Sequence, residues 1–265
     1  MNPNPIGLLA IALSIATFAL SYTMLRSRPT SVRAAVLCVA SLLSIPAILF
    51  AIYYLHILPE WSWFYTLRSW RGSELLAIFP GAAAGALAAL LPRRALVLPL
   101  AGSIALTMAP YVKPVIGPLP QNLFVDQWRG NACIQSTAST CGPASVCTIV
   151  KSLGSDPTER EAAHAAYSYG GGTEAWYLAR YVRSKGFAPR FEFRKTFTPE
   201  VGLPALVGVS LAGAGHFIAV LAVDADRVTY ADPLFGEATA PLAQFLQKYT
   251  FTGFHMVVTK PNVLQ

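Results

Sequence analysis

The chain has 265 residues and a net charge of +7, yet only 12% of its residues are charged and 54% are hydrophobic. Globular domains carry about 25% charged residues, so this composition argues against a soluble protein along the whole length and favours membrane segments. Much of the positive charge flanks apolar runs instead of clustering with aromatic residues, so we expect no nucleic-acid partner.

Four apolar runs predict an α-helical membrane domain at residues 1–113, because crossing a bilayer takes about 20 apolar residues. The predicted spans lie near residues 6–25, 34–55, 75–91 and 95–112. The first two contain no charged residue, whereas Pro80 and Pro99 interrupt the last two, which are also shorter. A cleaved signal peptide is the alternative for residues 1–25, but no basic residue precedes that run and no small-x-small cleavage site follows it.

Arginines between the spans predict the orientation of this domain. The first and third loops contain Arg26, Arg28, Arg33, Arg93 and Arg94. Because basic loops remain in the cytoplasm, we expect an integral protein of a bacterial inner (cytoplasmic) membrane with its C-terminal domain on the outer, periplasmic or extracellular face. That domain would face the cytosol if one of the two short segments did not span. The aromatic second loop, residues 61–70, is expected at the outer membrane interface.

A proline-rich linker at residues 114–120 is expected to lead into a soluble domain at residues 121–265. Helical patterns occupy its first half, at about 141–153, from 158 to before 169, and 173–185. Runs typical of strands follow at 190–194, 204–211, 216–223, 227–231 and 254–259, with a short helix at 241–249. Helices followed by an antiparallel sheet predict an α+β domain.

Cys141 is the predicted nucleophile of this domain. Thr140 or Ser139 can cap a helix that begins there, and Pro143 fits the first turn of that helix. The partial positive charge of a helix N-terminus favours the thiolate form of a cysteine. We expect Gly142 to let a substrate backbone approach. The alternative interpretation of Cys141 is a buried structural cysteine.

Gln135, six positions before the cysteine, is predicted to donate its side-chain amide to a developing oxyanion. His216 begins an apolar strand, where it could act as a base. One hairpin would return the chain to Asp232, which could then accept a hydrogen bond from the imidazole and fix its tautomer. Each of these residues alone also fits an ordinary loop, core or turn position.

The remaining cysteines predict no cofactor or metal site. Cys38 lies within an apolar run and is expected to be a packing residue. No CxxC or cysteine–histidine cluster has the spacing of a zinc site. Cys133 and Cys147 could pair in an oxidising compartment, a question that the sequence leaves open.

Together the motifs resemble the bacteriocin-processing, double-glycine leader cysteine peptidases and their relatives in the papain-like clan. The matching elements are the Gln135 to Cys141 spacing, Cys141-Gly142-Pro143-Ala144-Ser145 opening a helix, Gly154 ending it, Gly172-Thr173 opening another, Gly215-His216-Phe217 and Asp232-Pro233. The resemblance covers about residues 121–260 and implies a papain-like α+β fold. It implies Cys141 as nucleophile, His216 as general base and Asp232 as the residue that orients it. Gln135 would stand in the oxyanion hole.

We therefore expect a membrane-anchored cysteine peptidase that cleaves a peptide or protein at the membrane surface through an acyl-enzyme intermediate. The substrate would be tethered to the lipid bilayer or in the course of secretion. One alternative is a non-catalytic peptide-binding or regulatory domain of the same fold, and another is a related amidase or transpeptidase. Two features differ from the transporter-linked members of the family. Thr140 stands where those proteins have an acidic residue, and the membrane region here precedes the peptidase-like domain.

Overall fold

The computed structural model describes residues 3–55, 57–211 and 213–261, which form eleven α-helices and eight strands. The helices are α1 (Pro5–Leu25), α2 (Thr30–Leu43), α3 (Ile45–Ile52), α4 (Ser62–Arg68), α5 (Phe79–Ala88), α6 (Val97–Met108), α7 (Lys113–Ile116), α8 (Cys141–Ser152), α9 (Glu159–Ala165), α10 (Ala175–Ser184) and α11 (Leu242–Lys248). The strands are β1 (Trp128–Arg129), β2 (Ala132–Cys133), β3 (Ala188–Phe193), β4 (Ala205–Leu211), β5 (Ala214–Asp224), β6 (Arg227–Asp232), β7 (Gly236–Pro241) and β8 (Thr250–Thr259). Short 3₁₀ turns lie at Tyr53–Leu55, Ser73–Ile78, Arg93–Ala95 and Gln121–Leu123.

Contacts divide the chain into two compact units. The helical unit comprises the chain up to Pro59 together with Arg71–Ile116. The α+β unit comprises Glu60–Trp70 together with the chain from Gly117 onward. The segment Glu60–Trp70, between α3 and α5, therefore belongs to the C-terminal unit, although the residues before and after it in the chain belong to the helical unit.

This division differs from the predicted domains at residues 1–113 and 121–265. The predicted extended linker, residues 114–120, begins as helix α7 inside the helical unit. The aromatic loop predicted for the membrane domain packs instead within the α+β unit. Residues 1–2 and 262–265, at the outer ends of the predicted domains, lie outside the described residues.

The four predicted spans are not supported by the helix lengths. Among the described residues, α1 alone is one helix long and apolar enough to cross a membrane, and α2 with Ile45–Leu55 qualifies only as a pair bent by 49°. Pro46, in the first turn of α3, accounts for this break because proline lacks a donor N–H and clashes with the preceding turn. The third and fourth predicted spans shorten for a similar reason. Pro80 and Pro99 lie in the first turns of α5 and α6, where proline is tolerated.

Small residues bring α1 and α5 together in the helical unit. A Cβ added at Gly81 would lie 1.9 Å from the carbonyl oxygen of Ser14, and one at Gly85 would lie 2.4 Å from that of Phe18. Any larger side chain at these two positions would push the helix backbones apart.

Helices precede an antiparallel sheet in the α+β unit, which confirms the predicted α+β order. The six-stranded sheet has the order β3-β8-β4-β5-β6-β7, and every pairing is antiparallel. A buried cluster that includes Val207, Ile218, Tyr230 and Phe245 packs against one part of this sheet. Helix α8 packs against β5, and Ser145 in the second turn of the helix contacts Phe217 near the start of the strand.

Candidate active site

Cys141 is the first residue of α8, at the position that the sequence predicts for a nucleophile. The residue is 9% exposed, so the thiol lies at the margin of the protein interior. Thr140 occupies the N-cap position, but its side chain does not cap the helix. Its hydroxyl instead donates to the carbonyl of Thr137 at 3.1 Å and so closes the preceding loop. The first-turn N–H groups of α8, next to the thiol, therefore have no side-chain cap from Thr140.

The β5–β6 hairpin places His216 beside Asp232. The two strands pair antiparallel with Ala219 opposite Ala231, so the end of β6 returns to the start of β5. Nε2 of His216 lies 2.9 Å from Oδ1 of Asp232, and both side chains are buried. Because a carboxylate can only accept, the imidazole donates from Nε2, which leaves Nδ1 for the cysteine.

Asp232 is held by two further donors. The backbone N–H of Leu234 donates to Oδ1 at 3.0 Å, and the hydroxyl of Tyr249 donates to Oδ2 at 2.9 Å. Burial raises the pKa of the Asp232 carboxyl, but the hydrogen bonds from His216, Leu234 and Tyr249 outweigh burial and leave this pKa below its usual value. The carboxylate is therefore charged and fixed in orientation. Sequence analysis did not identify Tyr249, which reaches the site from the residue before β8.

The surroundings of His216 favour its protonated form. Burial lowers the pKa of the imidazole, but hydrogen bonds to Asp232 and to the Cys141 thiol, with the charges of both groups, raise it to about 9. An imidazolium is therefore present at neutral pH next to the sulfur. This arrangement can stabilise a thiolate and can deliver a proton to a departing group.

Gln135 lies on the loop before the nucleophile, close to the Asp232 turn. Its backbone N–H donates to the carbonyl of Pro233 at 2.9 Å. Its side-chain amide nitrogen donates to the carbonyl of Thr137 at 2.8 Å. An amide nitrogen has two hydrogens, so one remains for another acceptor. The predicted oxyanion role of Gln135 stays a prediction.

Glu159, the first residue of α9, supports the same loop. Its carboxylate accepts from the backbone N–H of Ser136 at 2.8 Å and from the Ser136 hydroxyl. The residue is fully buried, and burial raises the pKa of its carboxyl. Glu159 thus ties α9 to the loop from Gln135 to Cys141, a relationship for which the sequence has no local signal.

The sequence suggested that Gly142 lets a substrate backbone approach. In the structure, the absence of a side chain at Gly142 serves the packing of α8 instead. The residue is buried, and an added Cβ would lie 2.9 Å from Leu178 Cδ1 and 3.3 Å from Phe217 Cδ2. Next along the helix, the Ser145 hydroxyl donates to the carbonyl of Phe217 at 3.0 Å. These contacts attach α8 to β5 beside His216 and so fix the spacing between the thiol and the imidazole.

The other cysteines of the unit form no disulfide. Cys133 and Cys147 are both buried as free thiols, and they are hydrogen bonded to each other. Burial and this contact raise the pKa of the Cys147 thiol well above its usual value, so Cys147 is inert compared with an activated cysteine. Within residues 3–55, 57–211 and 213–261, no group of histidine, cysteine and acidic side chains could hold a metal ion.

The C-terminal half of the chain is similar to known proteins. The model of the peptidase C39 family matches residues 130–262. An uncharacterised protein of Methanothermobacter thermautotrophicus is 31% identical over 128 residues, which are 48% of this chain and 87% of that protein. An uncharacterised protein of Methanothermobacter marburgensis is 29% identical over 126 residues, which are 48% of this chain and 86% of that protein.

Solved structures with a similar fold include three peptidase domains. The peptidase domain of Streptococcus ComA, a bifunctional ABC transporter involved in quorum sensing, has 19% identity and a TM-score of 0.41, over 48% of this chain and 95% of that chain. A double glycine motif protease from an AMS/PCAT transporter, in complex with the leader peptide, has 18% identity and a TM-score of 0.42, over 49% and 90%. The N-terminal peptidase C39 like domain of a toxin secretion ATP-binding protein from Vibrio parahaemolyticus has 13% identity and a TM-score of 0.37, over 47% and 98%.

Proposed function

The chain belongs to the peptidase C39 family, with the papain-like arrangement of helices followed by an antiparallel sheet, and on that premise we propose that it is a membrane-anchored cysteine peptidase. The observation that supports this most strongly is the imidazole of His216, bonded to a buried carboxylate on one side and to the Cys141 thiol on the other. A non-catalytic peptide-binding domain of this fold would have no need for such an arrangement.

In the proposed reaction, the Cys141 thiolate attacks the carbonyl carbon of a peptide bond and forms a carbon–sulfur bond. The carbonyl oxygen becomes an oxyanion, which accepts hydrogen bonds from the Gln135 side-chain amide and from the backbone N–H of Cys141. The His216 imidazolium then donates its proton to the leaving amine as the carbon–nitrogen bond breaks. An acyl-enzyme remains, linked through a thioester.

Water completes the proposed cycle. The neutral imidazole of His216 takes a proton from a water molecule as that water attacks the thioester. The carbon–sulfur bond breaks, the thiolate forms again, and a carboxylic acid is released. If an amine took the place of the water, the same residues would carry out transpeptidation, so the product and not the site distinguishes the two reactions.

We propose that α1 and the bent pair of α2 and α3 anchor the chain in a cytoplasmic membrane. Arg26 and Arg28, between α1 and α2, and Arg33, in the first turn of α2, would then lie at the cytoplasmic side and α4 on the outer face. Because Glu60–Trp70 and the chain from Gly117 pack into one unit, both must lie on the same side of the membrane. Residues 71–116 would accordingly cross an even number of times or not at all. The proposed substrate is a peptide or protein that is tethered to this membrane or emerging from it.

Product analysis on the purified full-length chain tests the reaction. Incubation with a peptide mixture in heavy-oxygen water should give fragments with one heavy oxygen in each new carboxylate, as hydrolysis requires. Cys141→Ala should abolish these fragments, whereas Cys147→Ala, in the same helix, should retain them. Joined peptides without heavy oxygen would show a transpeptidase instead. Peptides bound but unchanged by the wild-type chain would show a binding domain.

A further inference from the structure

The segment Glu60–Trp70 lies between two helices of the helical unit in the chain, yet it packs within the α+β unit. Its helix, α4, contacts β3 and α10. Phe64 and Tyr65 on α4 are 5% and 3% exposed, whereas Trp63 is 51% exposed. One face of this helix is therefore part of the interior of the α+β unit, and the other is at the surface.

Tyr65 lies at the centre of an aromatic cluster. Its ring centroid is 5.6 Å from that of Trp176 on α10 and 5.4 Å and 5.1 Å from those of Phe191 and Phe193 on β3. The ring of Phe254 on β8 is 5.6 Å away. These separations are in the range favourable for aromatic pairs. Without Tyr65, three elements of the unit would lose a shared contact and expose apolar surface to water.

Two arginines of α10 hold the end of the same segment. Nη2 of Arg180 donates to the carbonyls of Arg68 and Trp70 at 2.8 Å and 2.7 Å. Nη1 of Arg183 donates to the carbonyl of Ser69 at 2.9 Å, and its Nη2 donates to the Ser69 hydroxyl at 2.9 Å. Three successive carbonyls at the C-terminal end of α4, which have no partner within the helix, are thereby satisfied. The segment is therefore held in the α+β unit by specific hydrogen bonds from α10 as well as by apolar packing.

Contacts continue from Tyr65 to the candidate active site. The ring of Phe254, which packs against Tyr65, lies 5.4 Å from the ring of Phe217. Phe217 follows His216 in β5, and its ring, with Leu178, leaves little space for a side chain at position 142. The aromatic cluster thus supports the strand start that positions the imidazole.

We propose that Glu60–Trp70 is a structural part of the catalytic unit and that Tyr65 is a positioning residue for His216. This inference rests on the proposed peptidase function. Through Phe254 and Phe217, the Tyr65 ring sets the distance between the imidazole and the Cys141 thiol. A peptidase domain that began at Gly117 would lack this contact, although it would contain every residue of the proposed catalytic site.

Alkylation kinetics of the full-length chain in detergent test this proposal. The second-order rate constant for iodoacetamide at Cys141 is measured against pH in a Cys38→Ala background and normalised to the folded fraction. Tyr65→Ala should slow alkylation about tenfold or more at neutral pH, because a small displacement of reacting groups is costly. It should also move the pH profile toward that of His216→Ala. Tyr65→Phe should stay within about twofold of wild type, because the ring remains and only the hydroxyl, which donates to the side chain of Glu60, is removed.

The matched control is Trp63→Ala, which removes an exposed ring from the same helix and should leave the profile unchanged. If Tyr65→Ala does not fold, Arg183→Gln provides a milder change, since it removes the two bonds to Ser69. It should give a smaller decrease in rate with the same shift in pH profile. If the pH profile of alkylation in Tyr65→Ala, normalised to the folded fraction, equalled that of wild type, the inference would be overturned. If Tyr65→Ala does not fold, the same result in Arg183→Gln would overturn it. If the alkylation rate and pH profile of His216→Ala equalled those of the wild-type chain, the proposed peptidase function would be overturned instead.

Discussion

Tyr249 donates its hydroxyl hydrogen to Oδ2 of Asp232 at 2.9 Å, while the imidazole of His216 lies 2.9 Å from Oδ1 of the same carboxylate. Asp232 is fully buried, so its charge depends on these bonds and on that from Leu234. Since both oxygens are engaged, the carboxylate cannot rotate without breaking a bond. The orientation of the imidazole therefore depends on a tyrosine that does not touch it.

Tyr249→Phe should lower kcat/KM about three- to tenfold and reduce the free energy of unfolding by about 1–2 kcal/mol, since a buried hydrogen bond to a charged group is lost. Peptide cleavage and denaturant unfolding of the full-length chain measure the two effects. Tyr181→Phe is the control, because Tyr181 is equally buried and donates to Glu161 at 3.2 Å on another part of the unit. Equal losses of activity in the two variants would contradict a specific role for Tyr249.

The pH dependence of stability should show the protonation of His216. Its pKa of about 9 in the folded chain exceeds the ordinary value of 6.5. The stabilisation is therefore complete below pH 6.5 and is lost as the pH rises through about 9. A shift of this size corresponds to about 3 kcal/mol as an order of magnitude.

Asp232→Asn should flatten this decline, because the neutral amide no longer favours the imidazolium. It should also move the alkaline limit of activity to lower pH, since the proton donor is lost earlier. Denaturant unfolding at steps of pH measures the first effect and a pH–rate profile the second. A wild-type stability that stays constant between pH 6.5 and 9 would disprove the proposed charge state.

Local motifs made the central part of this site predictable from the sequence. A polar residue, then Cys141 and then Pro143 predict a helix start, and the structure begins α8 at that cysteine. His216 and Asp232 lie on one hairpin, so the chain itself brings them together within a short stretch. These features depend on residues that are close in sequence, so they can be predicted from the sequence without knowledge of the fold.

Distant contacts were not predictable in the same way. Tyr249, Glu159 and Tyr65 reach the site from other elements, and each has an ordinary local explanation in a helix or loop. Strand β7 was also missed, because Gly236–Pro241 consists mostly of small and polar residues and is an edge strand paired only with β6. The prediction of four membrane spans gave apolar composition more weight than the prolines, although Pro46 breaks the second span and Pro80 and Pro99 lie at the starts of the short helices α5 and α6.

Gln135→Ala should lower kcat about 10²–10³-fold with little change in KM, if its amide stabilises the oxyanion. The free energy of unfolding should change by less than about 1 kcal/mol beyond the loss of the bond to Thr137. Steady-state kinetics on a cleaved peptide provides the measurement. Gln247→Ala, an exposed glutamine on α11, should have no effect. An increase in KM alone would show that Gln135 binds substrate instead.

Glu159→Gln should reduce activity about tenfold and stability by about 1–3 kcal/mol, because the amide nitrogen cannot accept one of the two hydrogen bonds that the carboxylate accepts from Ser136. Glu161→Gln, an exposed residue of the same helix, should have much smaller effects. Hydrogen exchange at the Ser136 amide would show the loosened loop directly. Unchanged protection of that amide in Glu159→Gln would contradict the proposal that Glu159 holds this loop in place.

The central claim is an activated Cys141 on the outer face of the membrane, and thiol labelling tests it most directly. A membrane-impermeant electrophile is applied to intact cells, with any outer envelope opened, and to inverted membrane vesicles, in a Cys38→Ala background. The account predicts labelling of the intact cells that is lost in both Cys141→Ala and His216→Ala. Labelling confined to inverted vesicles would reverse the proposed orientation, and labelling that does not require His216 would contradict the proposed catalytic pair.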